Sequence, residues 1–156
     1  MKKQIGKAKM KIILATDGSA NNKVAVEAVA SRSFPIDTEV RIVSAYESVP
    51  RIMNVDPLGV SKEYYAEADR NALKAAENAT ENAAKTLRKK NPALIITTIV
   101  VEGSPKSVIL KEAETFGADL IVVGSHGYGA VESFMLGSVS HAVALHAKCS
   151  VEIVRK

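Results

Sequence analysis

Residues 118–154 read ADLIVVGSHGYGAVESFMLGSVSHAVALHAKCSVEIV. The first six, Ala118 to Val123, form a short continuous apolar run, the pattern of a strand buried on both faces. Gly124 to Gly137 is too rich in glycine to continue it. Ser138 to His146 carries helical spacing, and Ser150 to Val154 alternates apolar residues as a final strand. A strand, a loop with a helix and a second strand make a crossover unit, which implies parallel pairing.

The same alternation extends towards the N-terminus. Lys11 to Thr16 (KIILAT) is a first buried strand. Asp17-Gly18-Ser19-Ala20-Asn21-Asn22 is turn and cap chemistry, and the spacing predicts a helix from about Lys23 to Ser31. Thr38 to Tyr46 is rich in β-branched residues and reads as strand two. Glu47 to Gly59 holds Pro50 and Pro57 and reads as a long loop of the kind that often carries function. Ser61 to Lys90 is a long helix, with Tyr65, Ala68, Ala72, Ala75, Ala79, Ala83 and Leu87 predicted to face a sheet. Asn91-Pro92 ends it. Leu94 to Val101 is strand three. Ser104 is placed to cap the next helix, Pro105 opens it and Gly117 closes it.

Five strands alternating with four helices predict an α/β fold: a single-domain, open, parallel sheet of order 3-2-1-4-5 with helices on both faces. In such sheets the winding reverses between strands one and four, and ligands bind outside the strand C-termini at that point. The segments there are Ala15 to Ser19 and the stretch from Gly124 onward. Gly124 and Gly127 permit a close approach of backbone to ligand, and successive amides in such a turn attract anions. Gly137-Ser138 stands at a helix start, whose open N–H groups and positive dipole end favour phosphate. The hydroxyls of Ser138 and Ser140 can add donors. Asp17 could accept a ribose hydroxyl, help to hold Mg²⁺, or cap the first helix, a role open to Ser19 and Asn21 as well. His126 could touch a phosphate or face solvent. Neither a G-x-x-x-x-G-K-[ST] loop nor a G-x-G-x-x-G turn after the first strand is present.

Composition narrows the classes. The chain of 156 residues is 47% hydrophobic and 24% charged, ordinary for one globular domain. Its net charge of +4 is concentrated in the tail MKKQIGKAKMK and around Lys85, Arg88, Lys89 and Lys90. Aromatic residues are only 4% and tryptophan is absent, which argues against a nucleic-acid surface. No apolar run reaches membrane-spanning length, and no signal core follows the basic start, so a cytoplasmic location is expected. The one cysteine, Cys149, is expected to be packed and inert.

The spacing G-x2-G-x9-G-[ST] at Gly124, Gly127, Gly137 and Ser138 resembles the ATP-binding branch of the universal stress protein family. So do Ala15-Thr16-Asp17-Gly18-Ser19 and the ending LGSVSHAVALHAKCSVEIVRK. The resemblance covers everything after a basic tail of residues 1–9, leaving residues 10–156 as the domain. It implies a Rossmann-like sheet of the adenine nucleotide alpha hydrolase type, a stress-response role, and a homodimer joined through Val151 to Val154. It further implies an ATP site with Mg²⁺. By position, Ala15 and Asp17 would lie near the adenosine, with Asp17 towards the ribose and metal. Ala45 would offer backbone contacts to adenine and Val123 would pack against it. Gly124, His126, Gly127, Gly137, Ser138 and Val139 would surround the phosphates, with Ser140 close by. Tyr128 to Leu136 departs from many relatives in holding Glu132 and no lysine or arginine. Phosphoryl transfer needs charge stabilisation at the moving group. A slow ATPase or self-phosphorylating enzyme is therefore the alternative, with negligible turnover expected. A two-component receiver and a dimeric scaffold without nucleotide are further alternatives.

Overall fold

A computed structural model of the chain describes residues 9–49, 61–127 and 135–156. The basic tail up to residue 8, most of the expected Glu47 to Gly59 loop and the span 128–134 lie outside the described residues. The elements run β1 (Lys11–Ala15), α1 (Ala20–Ala30), β2 (Glu39–Tyr46), α2 (Lys62–Lys90), β3 (Ile95–Glu102), α3 (Pro105–Phe116), β4 (Leu120–Gly124), α4 (Ser138–His146) and β5 (Ser150–Val154). They build one five-stranded sheet of order β3-β2-β1-β4-β5, parallel at every pairing. This is the order expected from the sequence.

Strand parity divides the core into two layers, because successive side chains point to opposite faces. Ile12, Leu14, Val40, Ile42 and Val122 face α1 and α2, where they meet Ala25, Val29, Ala83, Ala84 and Leu87. Ile13, Ala15, Val43, Ile121 and Val123 face α3 and α4, where they meet Val108, Ile109, Phe116 and Val143. Ile12, Ile13 and Leu14 are fully buried. Burial of each contributes about 1.5–3 kcal/mol, so the short β1 anchors both layers.

Three local details differ from the sequence expectation. Helix α1 starts at Ala20 rather than near Lys23, because Ser19 is its N-cap and its side chain accepts from the Asn22 amide at 3.3 Å. Gly18 makes this sharp entry with φ of 81°, a left-handed backbone that glycine takes without strain. On α2, Ala75 is exposed while Ala76, Thr80 and Ala84 are buried, and burial begins only at Ala76. An alanine-rich helix offers several stripes of equal hydropathy, and packing against α1, β2 and β3 selected this one. Ser104 stands at the N-cap of α3 but makes no side-chain cap bond; Pro105 and the left-handed Gly117 mark that helix's ends.

The basic residues Lys85, Arg88, Lys89 and Lys90 are exposed at the C-terminal end of α2, where they oppose its negative dipole end. Lys90 also pairs with Glu27 of α1. A bidentate pair joins Arg32, beyond α1, to Glu152 of β5 at 2.7 and 2.6 Å. Among the described residues, no helix is long and apolar enough to cross a membrane.

Candidate functional site

Beyond Ala15, β1 turns away into α1, and beyond Gly124, β4 turns away into its loop. The divergence opens a cavity of about 460 Å³ at the C-terminal ends of β1, β2 and β4. It lies on the α3–α4 side of the sheet, since the strand side chains lining it are those of Ala15, Val43, Ala45 and Val123. The cavity therefore has an apolar half, closed by Ile109 and Pro105 from the start of α3. Its polar half is formed by Asp17, Gly124, His126, Gly127 and the Gly137–Ser140 turn.

All eleven candidate residues named from sequence line this one cavity: Ala15, Asp17, Ala45, Val123, Gly124, His126, Gly127, Gly137, Ser138, Val139 and Ser140. Thr16, Asn22, Val43, Pro105 and Ile109 line it too and were missed. Val43 was within reach of the parity rule, two residues before Ala45 on one face. Pro105 and Ile109 arrive through the packing of α3, for which the local sequence carries no signal.

Asp17 Oδ1 accepts from the Ser19 amide at 2.8 Å and from Asn22 Nδ2 at 2.8 Å, so the carboxylate braces the turn while Ser19 caps the helix. Across the cavity, Gly137 is the N-cap of α4 and has no side chain to occupy the first amides of the helix. Those amides and the dipole behind them form the anion-favouring end. The Gly137 amide donates to the Ser125 carbonyl at 2.9 Å, which joins the two ends of the loop. Ser140 reinforces this join: its buried hydroxyl reaches the Ser125 and Gly137 carbonyls, both at 3.0 Å. Its hydroxyl proton thus serves the loop. His126 Nε2 is 2.6 Å from the Met135 carbonyl, and Nδ1 is 3.0 Å from Ser125 Oγ. A carbonyl can only accept, so Nε2 carries a proton, and in the neutral ring Nδ1 then accepts from the serine hydroxyl. Both ring nitrogens of His126 thereby face protein partners.

Among the described residues, no three His, Cys, Asp or Glu side chains cluster in a way that could hold a metal alone. Mg²⁺ is commonly held by one or two carboxylates together with substrate phosphates. Asp17, facing the phosphate-favouring end, fits such a shared site.

A family model for the universal stress protein family matches residues 10–155. The chain belongs to the universal stress protein family. It is 37% identical over 145 residues to a universal stress protein of Thermus aquaticus, covering 92% of this chain and 97% of that one. It is 33% identical over 151 residues to universal stress protein YxiE of Bacillus subtilis, covering 93% and 98%. Among solved structures, the protein MJ0577 superposes with a TM-score of 0.78 at 27% identity, over 94% of this chain and 95% of that one. The universal stress protein UspA of Lactobacillus plantarum shares the fold with a TM-score of 0.76 at 23% identity, over 96% and 100% of the two chains. The sheet order and the cavity at its switch point are thus set in a family frame.

Proposed function

We propose that this universal stress protein is an ATP-binding, dimeric regulator of the stress response, taking the nucleotide with Mg²⁺ and acting by binding it rather than by turning it over. The observation that carries this is the two-part cavity, apolar under β2 and α3 and anion-favouring at the start of α4. A base fits the first half and a polyphosphate the second. A volume of about 460 Å³ lies within the usual range of about 300–1,000 Å³ for small-ligand sites.

The β2 backbone supports adenine as the base. The Glu39 amide donates to the Met10 carbonyl, and the Val43 carbonyl accepts from the Thr16 amide. Odd residues of β2 therefore turn their backbone groups to the β1 side. Ala45 is the next odd residue, and β1 ends at Ala15, paired with Val43. The N–H and C=O of Ala45 then point to where the base would sit, a donor beside an acceptor, complementary to adenine N1 and N6. The fold also holds AMP in a universal stress protein family protein of Arabidopsis thaliana and cAMP in another universal stress protein, both distant in sequence from this chain.

Asp17 would face the ribose and the metal, while Gly124, the backbone of His126 and Gly127, and the open amides of the Gly137–Ser140 turn would hold the phosphates. With Glu132 and no lysine or arginine from Tyr128 to Leu136, charge neutralisation falls to amides, the α4 dipole and Mg²⁺. That composition supports binding over catalysis. Calorimetry with Mg-ATP on nucleotide-free protein tests the proposal. Saturable binding is expected, and none up to millimolar nucleotide overturns it. Steady hydrolysis abolished by Asp17→Ala would make the chain an ATPase instead.

A further inference from the structure

Asn22 is buried on the first turn of α1 and lines the cavity. Its side-chain amide carries two hydrogens. Three acceptors lie within reach: Asp17 Oδ1 at 2.8 Å, Ser19 Oγ at 2.9 Å and the His126 carbonyl at 3.3 Å. Asp17 and Ser19 belong to the turn after β1, whereas His126 belongs to the loop after β4. One buried side chain thus spans the two segments that diverge to open the cavity. The cap of α1 does not depend on this amide, because the Asn22 backbone N–H itself donates to Ser19 Oγ.

We propose that Asn22 is a positioning residue of the nucleotide site, setting the Asp17 carboxylate against the phosphate loop. This inference rests on the nucleotide reading above. Asp17 Oδ1 is gripped by two donors, the Ser19 amide and Asn22 Nδ2. The same Asn22 nitrogen holds the His126 carbonyl, and the next residue is Gly127, which closes on Asp17 Oδ2. Removing the amide takes one donor from Asp17 Oδ1 and cuts the bond from α1 to the His126 carbonyl. The metal and phosphate half of the cavity then loses its mutual geometry. The base half, at Ala45, Ile109 and Val123, has no hydrogen bond to Asn22 and keeps its shape.

The test compares Mg-ATP and adenosine binding by calorimetry in the native chain, Asn22→Ala and Asn22→Ser, with thermal unfolding of each nucleotide-free protein. Serine keeps a polar group at the helix start but is too short to reach His126, so it replaces the alanine variant if that one does not fold. The expected result is a loss of about tenfold or more for Mg-ATP, with adenosine changed by less than about twofold. Parallel losses of both ligands, an unchanged Mg-ATP affinity, or unfolding of both variants overturns the assignment. A native chain that binds neither ligand overturns the nucleotide reading itself, and this inference with it.

Discussion

Gly127 stands so close to Asp17 that a β-carbon built on it would lie 2.7 Å from Oδ2. The carboxylate cannot easily step aside, since its other oxygen is held by Ser19 and Asn22. The backbone of the loop after β4 and the acid at the end of β1 thus approach across the cavity mouth too closely for a side chain at position 127.

Gly127→Ala is expected to push the loop off Asp17. Mg-ATP affinity should fall about tenfold, while unfolding free energy falls by only about 1 kcal/mol, since the strain sits at the edge of the core. Calorimetry and urea unfolding on the same preparation check both numbers. Undiminished affinity would show that this close approach is irrelevant to the ligand.

Gly124→Ala acts on folding. Its β-carbon would meet the Asn21 carbonyl oxygen at 2.9 Å and the carbonyl carbon at 3.1 Å, which are backbone atoms of α1. Backbone cannot rotate away as a side chain can, so α1 must lift from the end of β4. A destabilisation of about 1–3 kcal/mol is expected from such overpacking, read as a lower denaturant midpoint with an unchanged slope.

The Arg32–Glu152 fork predicts a small acid sensitivity. The hydrogen bonds from Arg32 hold the Glu152 carboxyl below the usual range, outweighing a modest upward push from burial, with charge attraction to Arg32 adding to the lowering. A carboxylate with a depressed folded pKa stabilises the fold fully above its unfolded pKa, and that stabilisation is lost as pH falls through the folded value. The side chains are 41% and 31% exposed, so solvent screening limits the effect to under about 1 kcal/mol. Urea unfolding at pH 7 and pH 3 should show a smaller acid-induced loss in Glu152→Gln than in the native chain. Equal losses would mean that the fork contributes nothing.

Cys149 is half-buried against the α3–α4 layer. Burial raises its thiol pKa and the nearby Asp119 charge raises it further, outweighing a backbone hydrogen bond that lowers it. Because the thiolate is the reactive form, a disulfide reagent at pH 7.5 should label the native protein more slowly than glutathione and speed up in urea. Labelling as fast as glutathione would contradict the packed reading.

The dimer proposal concerns the outer edge of β5. The Ser125 amide donates to the Val154 carbonyl, so even residues of β5 turn towards β4, and Val151 and Ile153 turn their backbone groups outward. Light scattering at micromolar concentration should give twice the chain mass. A monomer with and without Mg-ATP would sink it.

Much of this was legible because strand and helix alternation is a local property. KIILAT, TEVRIVSAY and ADLIVV could be read as buried strands from composition alone, and the crossover rule then left few sheet orders. The DGS turn was also visible, but the start of α1 was not, since Ser19 and Asn21 are equally able caps. Only the bond from the Asn22 amide to Ser19 Oγ decided between them. The stripe on α2 was ambiguous for a similar reason: alanines at 75, 76, 79, 83 and 84 have the same hydropathy, and burial depends on how α2 is rotated against β2 and β3.

The sequence by itself determined the order of elements and the chemistry of the loop ends, because each follows from neighbours in the chain, and the crossover rule then pointed to where β1 and β4 part. Only the tertiary structure decided that Asp17 leaves no room for a β-carbon at Gly127, that Asn22 bridges to His126 across 104 residues, and that Pro105 and Ile109 close the apolar half of the cavity. Those contacts depend on helix rotation and depth to within an ångström or two. Such distances are set when two layers pack against one sheet, and no local pattern encodes them.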